Sequence, residues 1–257
     1  MIPLGDADIR RRTFPYVTIA IVLINVVVFV YEFSLGDLEQ QIFILKNGLI
    51  PAELTSGMEF LEYGSRFSGY VDIQSPFGTW ATVFTSMFLH GGIMHIIGNM
   101  LFLWVFGGNL EDRLGHVKFL LFYLAAGFAA SMAQVGIDMD SRVPMVGASG
   151  AIAGVLGAYL LLYPYSRINT LFIFIFITVV PVPAVLVLGL WFILELFKGV
   201  GSLGVETVGG GVAYFAHVGG FVAGLLMMAG YKLAAREPLV PRRPGRIHHY
   251  WRGRPLC

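Results

Sequence analysis

The chain has 257 residues, of which 56% are hydrophobic and only 13% are charged. A typical soluble domain contains about 25% charged residues, and the apolar content is far too high for intrinsic disorder. The composition therefore indicates an integral membrane protein. The net charge of +1 provides no basic field that would attract nucleic acid. The single cysteine, Cys257, excludes an internal disulfide and a cysteine-rich metal site.

Six apolar stretches have about the length of a membrane-spanning helix. A hydrocarbon layer of about 30 Å requires roughly 20 apolar residues. No small-residue cleavage site follows the first stretch, which favours an uncleaved helix over a signal peptide. The sequence therefore predicts an all-α polytopic membrane protein, with one six-helix domain over residues 16–231. The predicted spans are 16–34, 92–109, 117–136, 148–164, 181–198 and 212–231.

The basic residues predict the orientation of these spans. With both termini in the cytoplasm, 13 of the 17 Lys and Arg residues lie on the cytoplasmic side and 4 lie outside, as the positive-inside rule requires. Residues 1–15 are then a short cytoplasmic N-terminus, and 232–257 form a basic cytoplasmic tail near anionic lipid. We expect a prokaryotic plasma membrane, since the sequence shows a six-helix core and no organelle-targeting segment.

Three connecting segments are predicted not to span the membrane. Residues 171–178 are rich in β-branched and aromatic side chains, which disfavour a helix. We interpret them as an interfacial or re-entrant segment, and Pro181 as part of the first turn of the fifth helix. The outside loop 35–89 is too polar to span and is expected to lie on the membrane surface. The glycine-rich loop 199–211 is permissive in conformation and is expected to act as a movable cap.

Polar groups cluster at one depth of the predicted bundle. Such groups are costly inside a membrane span and suggest function. His95 and Asn99 share a face of the second helix, whereas Ser149 and His217 lie near the starts of the fourth and sixth helices. All three helices run inward from the outer surface. The four groups are therefore expected within about 10 Å of that surface.

Small residues accompany this polar layer. Gly150, Gly154 and Gly157 form a stripe on the fourth helix, and Gly220 and Gly224 form one on the sixth. Such stripes allow helix backbones to approach closely in lipid. Glycines also pack helices that have no catalytic role, so the stripes alone leave a purely structural interpretation open.

The residue types in this layer are those of nucleophilic catalysis. A serine hydroxyl becomes reactive when a histidine takes its proton. Because no aspartate lies in these helices, the sequence predicts a dyad of Ser149 and His217, not a triad. His95, Asn99 and the backbone N–H of Ser149 are candidate donors to an oxyanion.

Glu195 and the histidines of this layer could suggest an additional catalytic group or a metal site, but a simpler interpretation is available for each. Glu195 precedes Lys198 by three residues at the outer end of the fifth helix, which indicates a surface ion pair. The histidines, including His90, have no HExxH motif and no thiolate or carboxylate beside them in this layer, which disfavours a zinc site. We expect no metal and no cofactor.

At these residues the sequence resembles the rhomboid family of intramembrane serine proteases. The resemblance extends over residues 80–231 and implies a six-helix bundle that cleaves transmembrane segments of other proteins. Its partners are then transmembrane substrates and the lipid bilayer. The resemblance makes Ser149 the nucleophile and His217 the general base, with His95 and Asn99 completing the oxyanion hole. The matching features are GASG at 147–150, GGNLEDRLG at 107–115, AHVGG at 216–220, and the supporting residues His90, Gly147, Gly150, Gly220 and Gly224.

The sequence departs from the family pattern in two places. Trp80 is followed by Ala81, where many members have an arginine. Ala153 occupies the place of a tyrosine that stacks on the histidine in some members. We therefore expect Tyr214 or Phe215 to orient His217.

Two other functions remain open. A non-catalytic rhomboid-like scaffold would bind client transmembrane helices without cutting them. A small transporter could use broken helices to line a substrate path, although the sequence shows no internal repeat.

Overall fold

Ten α-helices account for most of the residues that the structure describes. The computed structural model describes residues 2–9, 11–58, 73–173, 177–203, 212–241, 250–251 and 254–255. A π-helical turn, Leu103–Gly107, joins α5 to α6. The helices are α1 (Tyr16–Ser34), α2 (Asp37–Asn47), α3 (Pro51–Ser56), α4 (Thr79–Thr85), α5 (Ile93–Phe102), α6 (Gly108–Leu114), α7 (His116–Ile137), α8 (Ser149–Leu162), α9 (Ala184–Ser202) and α10 (Tyr214–Ala234). The strands are β1 (Ile2–Asp6), β2 (Arg167–Ile173), β3 (Ile177–Pro183), β4 (Tyr250–Trp251) and β5 (Arg254–Pro255).

Helices occupy all six predicted apolar stretches, with ends that differ from the prediction by up to five residues. The second stretch holds α5, the π-helical turn and α6 in succession, as one segment of 22 residues. The shortest of the six segments is α8, which has 14 residues, or about 21 Å at 1.5 Å per residue. Because helices occupy the apolar stretches, the chain is a polytopic helical membrane protein. Because α8 is so short, the sixth span remains a prediction. Within the described residues, five segments are long and apolar enough to cross a membrane: Tyr16–Ser34, Ile93–Leu114, His116–Ile137, Ala184–Ser202 and Tyr214–Ala234.

Helix α8 lies at the centre of the bundle, in contact with α7, α9 and α10. Eleven of its 14 residues are buried. A Cβ added to Gly220 would lie 2.1 Å from the carbonyl oxygen of Gly150, and one added to Gly224 would lie 1.9 Å from that of Gly154. The backbones of α8 and α10 are therefore in direct contact. This contact brings the first turns of the two helices together.

The start of α1 is held by carboxylates of α6. Glu111 accepts hydrogen bonds from the backbone N–H groups of Val17 (2.9 Å) and Thr18 (2.8 Å) and from the Thr18 hydroxyl (2.7 Å). Asp112 accepts hydrogen bonds from the N–H and hydroxyl groups of Thr13. The first N–H groups of a helix have no partner within it, and carboxylates favour that positive end. The motif at 107–115 thus fixes the entry of the chain into the bundle.

Replacing Glu111 with alanine is expected to lower the free energy of unfolding by about 3 kcal/mol, because buried donors lose a charged acceptor. The measurement is the thermal unfolding midpoint in detergent. Glu39→Ala, which removes an exposed carboxylate from α2, is the control and should cost less than about 0.5 kcal/mol. Equal shifts in the two variants would contradict the capping role of Glu111.

A three-stranded antiparallel sheet, in the order β1-β2-β3, lies beyond the C-terminal end of α8. Of the segment 171–178, which was expected to be interfacial or re-entrant, residues 171–173 belong to β2 and 177–178 to β3, and residues 174–176 lie outside the described residues. The β-branched residues of the segment suit strands. Pro181 does not begin the fifth helix as predicted. It pairs with Asn169 within β3, and α9 begins at Ala184, directly after Pro183. Proline is tolerated there because β3 is an edge strand.

Strand β1 ties the N-terminal segment to the bundle. Asp6 accepts hydrogen bonds from the Ser166 hydroxyl (2.9 Å) and from Asn109 Nδ2 (3.3 Å). The Tyr159 hydroxyl donates to the same carboxylate. These contacts join the segment to α6 and α8.

Several predicted segments lie partly outside the described residues. These residues are 59–72 of the loop 35–89, 204–211 of the glycine-rich loop, and 242–249, 252–253 and 256–257 of the basic tail. Gly199 and Gly201, predicted to lie in the cap loop, belong to α9.

Candidate active site

The first turns of α8 and α10 bring Ser149 and His217 together. Ser149 is the first residue of α8, and His217 is the fourth residue of α10. His217 Nε2 lies 2.7 Å from Ser149 Oγ. This hydrogen-bond distance is what a proton transfer between the two groups requires.

A side chain from α7 holds the first turn of α10. Gln134 Oε1 accepts hydrogen bonds from the backbone N–H groups of Phe215 (3.1 Å) and Ala216 (3.2 Å). The first N–H groups of a helix have no partner within it, and the Ala216 N–H also donates to the carbonyl oxygen of Ala213, just before α10, at 3.0 Å. Gln134 therefore fixes the turn that carries His217. Gln134 was not among the residues predicted for the site, although a polar side chain near the end of an apolar span was the available signal.

The second ring nitrogen of His217 faces a carboxylate. Its Nδ1 lies 2.6 Å from Glu195 Oε2, and Lys198 Nζ donates to Glu195 Oε1 at 3.1 Å. The expected pair of Glu195 and Lys198 is present, but Glu195 is only 6% exposed, so the prediction of a surface pair was wrong. The sequence predicted a dyad of Ser149 and His217 without a third group, whereas in the structure this carboxylate contacts His217.

The aromatic ring beside His217 comes from α9. The Trp191 ring centroid lies 6.0 Å from that of His217, with 34° between the ring planes. Among the described ring contacts, neither Tyr214 nor Phe215 reaches His217, so the prediction for these residues was wrong. Trp191 and Glu195 are four residues apart and share one face of α9. Helix α9, which contributed no residue to the predicted polar layer, thus supplies two neighbours of His217.

His95 directs one ring nitrogen towards the turn before Ser149. Its Nδ1 accepts the backbone N–H of Gly91 at 3.3 Å, so the proton of a neutral His95 ring lies on Nε2. A Cβ added to Gly147 would lie 2.8 Å from His95 Nε2. Gly147 also has φ = +124°, which L side chains rarely adopt. Only glycine allows this backbone to pass so close to the imidazole.

Asn99 and His90 lie near His95 in different ways. Asn99 Nδ2 donates to the backbone oxygen of His95 at 3.0 Å, which uses one of its two amide hydrogens. Among the described hydrogen bonds, none joins Asn99 to Ser149. The buried His90 ring lies 5.1 Å from the His95 ring, and its backbone N–H donates to Glu32 Oε2 at 3.2 Å. The buried ring of His90 therefore packs against that of His95.

The arrangement is suited to generating a nucleophilic oxygen. A histidine within hydrogen-bond distance can accept the Ser149 proton, and a carboxylate on its opposite nitrogen can fix its orientation. The ring of His95 offers an N–H beside the turn that precedes the serine. In the part of the chain that the structure describes, no cluster of three or more His, Cys, Asp or Glu side chains could hold a metal ion.

Comparison with known proteins extends these observations. A family model described as the rhomboid domain matches residues 78–233, more than half of the chain. Rhomboid protease GluP of Bacillus subtilis (strain 168) is 36% identical over 127 residues, or 49% of this chain and 24% of the relative. RHOMBOID-like protein 1 of Arabidopsis thaliana is 35% identical over 148 residues, or 56% of this chain and 33% of the relative.

A mitochondrial relative shows similar coverage. Rhomboid protein 1, mitochondrial, of Saccharomyces cerevisiae (strain ATCC 204508 / S288c) is 33% identical over 149 residues, or 56% of this chain and 40% of the relative. The matched regions thus span between about a quarter and two fifths of the length of these three relatives.

Proposed function

The chain belongs to the rhomboid family, and from this premise we propose that it is an intramembrane serine endopeptidase acting on transmembrane segments of other membrane proteins. The observation that carries the proposal is the distance of 2.7 Å between Ser149 Oγ and His217 Nε2. The helical membrane fold and the relative named as a rhomboid protease support it.

The proposed first step is acylation of Ser149. His217 Nε2 accepts the hydroxyl proton as the serine oxygen attacks the carbonyl carbon of the scissile peptide bond. The carbonyl oxygen then carries negative charge and requires hydrogen-bond donors that are already in place. His95 Nε2–H, the Ser149 backbone N–H and the remaining amide hydrogen of Asn99 are the proposed donors.

The end of acylation and the hydrolysis that follows it each release one product. The imidazolium of His217 gives its proton to the leaving amine as the peptide C–N bond breaks, which leaves an acyl group on Ser149. His217 then takes a proton from water, and the resulting oxygen attacks the acyl carbon. Collapse of this intermediate frees the new carboxyl group and returns the proton to Ser149.

The charge distribution supports a location for this reaction. We propose a multi-pass protein of a prokaryotic plasma membrane, with both termini in the cytoplasm. The starts of α8 and α10 then face outward, so the site opens to the outside.

The test is cleavage of tagged single-span substrates by the purified protein in detergent, together with labelling by a fluorophosphonate. Ser149→Ala is the matched control, since it removes one oxygen atom. Cleavage and labelling that are both lost in this variant are the expected result. Absence of both in the unaltered protein would contradict the proposal and favour the client-binding scaffold.

A further inference from the structure

Glu195 is an ionisable residue buried inside an apolar helix. It is 6% exposed and lies in the segment Ala184–Ser202, which is long and apolar enough to cross a membrane. A charged group in such a place is costly and by default indicates function. Its partner on α9, Lys198, has a side chain that is 53% exposed, and an exposed ion pair contributes little to stability. The pair with Lys198 therefore does not by itself explain a buried carboxylate at this position.

The contact with His217 gives the carboxylate a specific effect. An ionised carboxylate only accepts hydrogen bonds, so Glu195 Oε2, 2.6 Å from Nδ1, requires the proton of a neutral imidazole to lie on Nδ1. Nε2 is then the unprotonated nitrogen, and it lies 2.7 Å from Ser149 Oγ. This is the tautomer in which His217 can accept the serine proton.

Neighbouring groups keep the carboxylate in place. Lys198 Nζ holds the other oxygen of Glu195 at 3.1 Å, so each carboxylate oxygen has one partner. Trp191, one helical turn before Glu195, lies with its ring centroid 6.0 Å from that of His217. The imidazole is therefore held by α9 on one side and by Ser149 on the other.

We propose that Glu195 is a positioning residue that completes a Ser149–His217–Glu195 triad. It fixes the tautomer and orientation of His217 and stabilises the imidazolium that forms when the serine proton is transferred. This inference rests on the proposed function and deepens it, since it adds a residue that acts through His217 without touching the substrate.

The test compares two substitutions of similar size. Glu195→Met removes the acceptor, whereas Glu195→Gln keeps a carbonyl oxygen that can accept from Nδ1–H. We expect Glu195→Met to lower kcat on the order of 10²-fold while KM changes less than about twofold, because only proton transfer is affected. Glu195→Gln should recover at least about tenfold of that loss. The rate of fluorophosphonate labelling at Ser149, which needs no substrate helix, should follow kcat in both variants.

The outcomes separate this inference from the proposed function. If the unaltered protein cleaves and Ser149→Ala does not, but Glu195→Met keeps its kcat, then Glu195 is not a positioning residue and the protease assignment stands. If Glu195 had a purely structural role, the loss of activity in each variant would be proportional to the decrease in its thermal unfolding midpoint. This result would overturn the inference. If the unaltered protein neither cleaves nor is labelled, the proposed function itself fails.

Discussion

Replacing His217 with alanine is expected to lower the rate of substrate cleavage on the order of 10⁴-fold while the protein stays folded. Without the imidazole, no base lies at hydrogen-bond distance from Ser149 Oγ in the described structure, so the hydroxyl keeps its proton. The measurement is kcat on a tagged substrate in detergent, with the thermal unfolding midpoint recorded in parallel. Fluorophosphonate labelling at Ser149 should fall with the cleavage rate.

His116 provides the matched control for this substitution. It begins α7 and lies 18 residues before Gln134, or about 27 Å along the helix. Its Nδ1 contacts Glu111 Oε1 at 2.6 Å, far from the serine. His116→Ala should therefore keep kcat within about threefold of the unaltered protein. If His217→Ala retained a tenth or more of the original kcat, its assignment as the general base would be wrong.

Replacing Gly224 with alanine is expected to lower the free energy of unfolding by about 3 kcal/mol and to abolish most of the activity. The added Cβ would lie 1.9 Å from the carbonyl oxygen of Gly154 and 2.5 Å from its Cα. Both are backbone atoms of α8, so relief requires α8 and α10 to separate. Because His217 lies two turns before Gly224 on the same helix, separation also moves the imidazole away from Ser149. Thermal unfolding and labelling of Ser149 should report the two effects.

Gly230 is the control on the same helix. A Cβ added there meets nothing within 4 Å, so Gly230→Ala tests only the change in helix propensity. It should be neutral or should stabilise the protein by up to about 1 kcal/mol. Similar destabilisation by Gly224→Ala and Gly230→Ala would show that helix contact is not the cause.

The sequence could indicate Ser149 and His217 as partners because both lie near the starts of helices flanked by glycines. The offsets of three and seven from His217 to Gly220 and Gly224 place all three on one helical face. When that face contacts the glycine stripe of α8, the two polar side chains lie at one height. Local periodicity and topology were therefore sufficient to predict this pair.

Glu195 could not be assigned in the same way. It lies 22 residues from His217 in the chain, and its spacing to Lys198 fits an ordinary ion pair along one helix. Which face of α9 turns towards α10 depends on how the side chains of both helices pack. The same packing placed Trp191 beside His217 and left Tyr214 and Phe215 away from it.

Composition, hydropathy and residue spacing by themselves determined a polytopic helical membrane protein, the approximate positions of its helices, and the resemblance to the rhomboid family. These properties follow from the cost of exposing polar groups to lipid and from the 3.6-residue period of the helix. Only the tertiary structure decided the contact of Glu195 with His217, the cap that Gln134 places on α10, and the pairing of β1 with β2. Each of these joins residues distant in the chain, and their distances depend on helix rotation and packing, which no local pattern encodes.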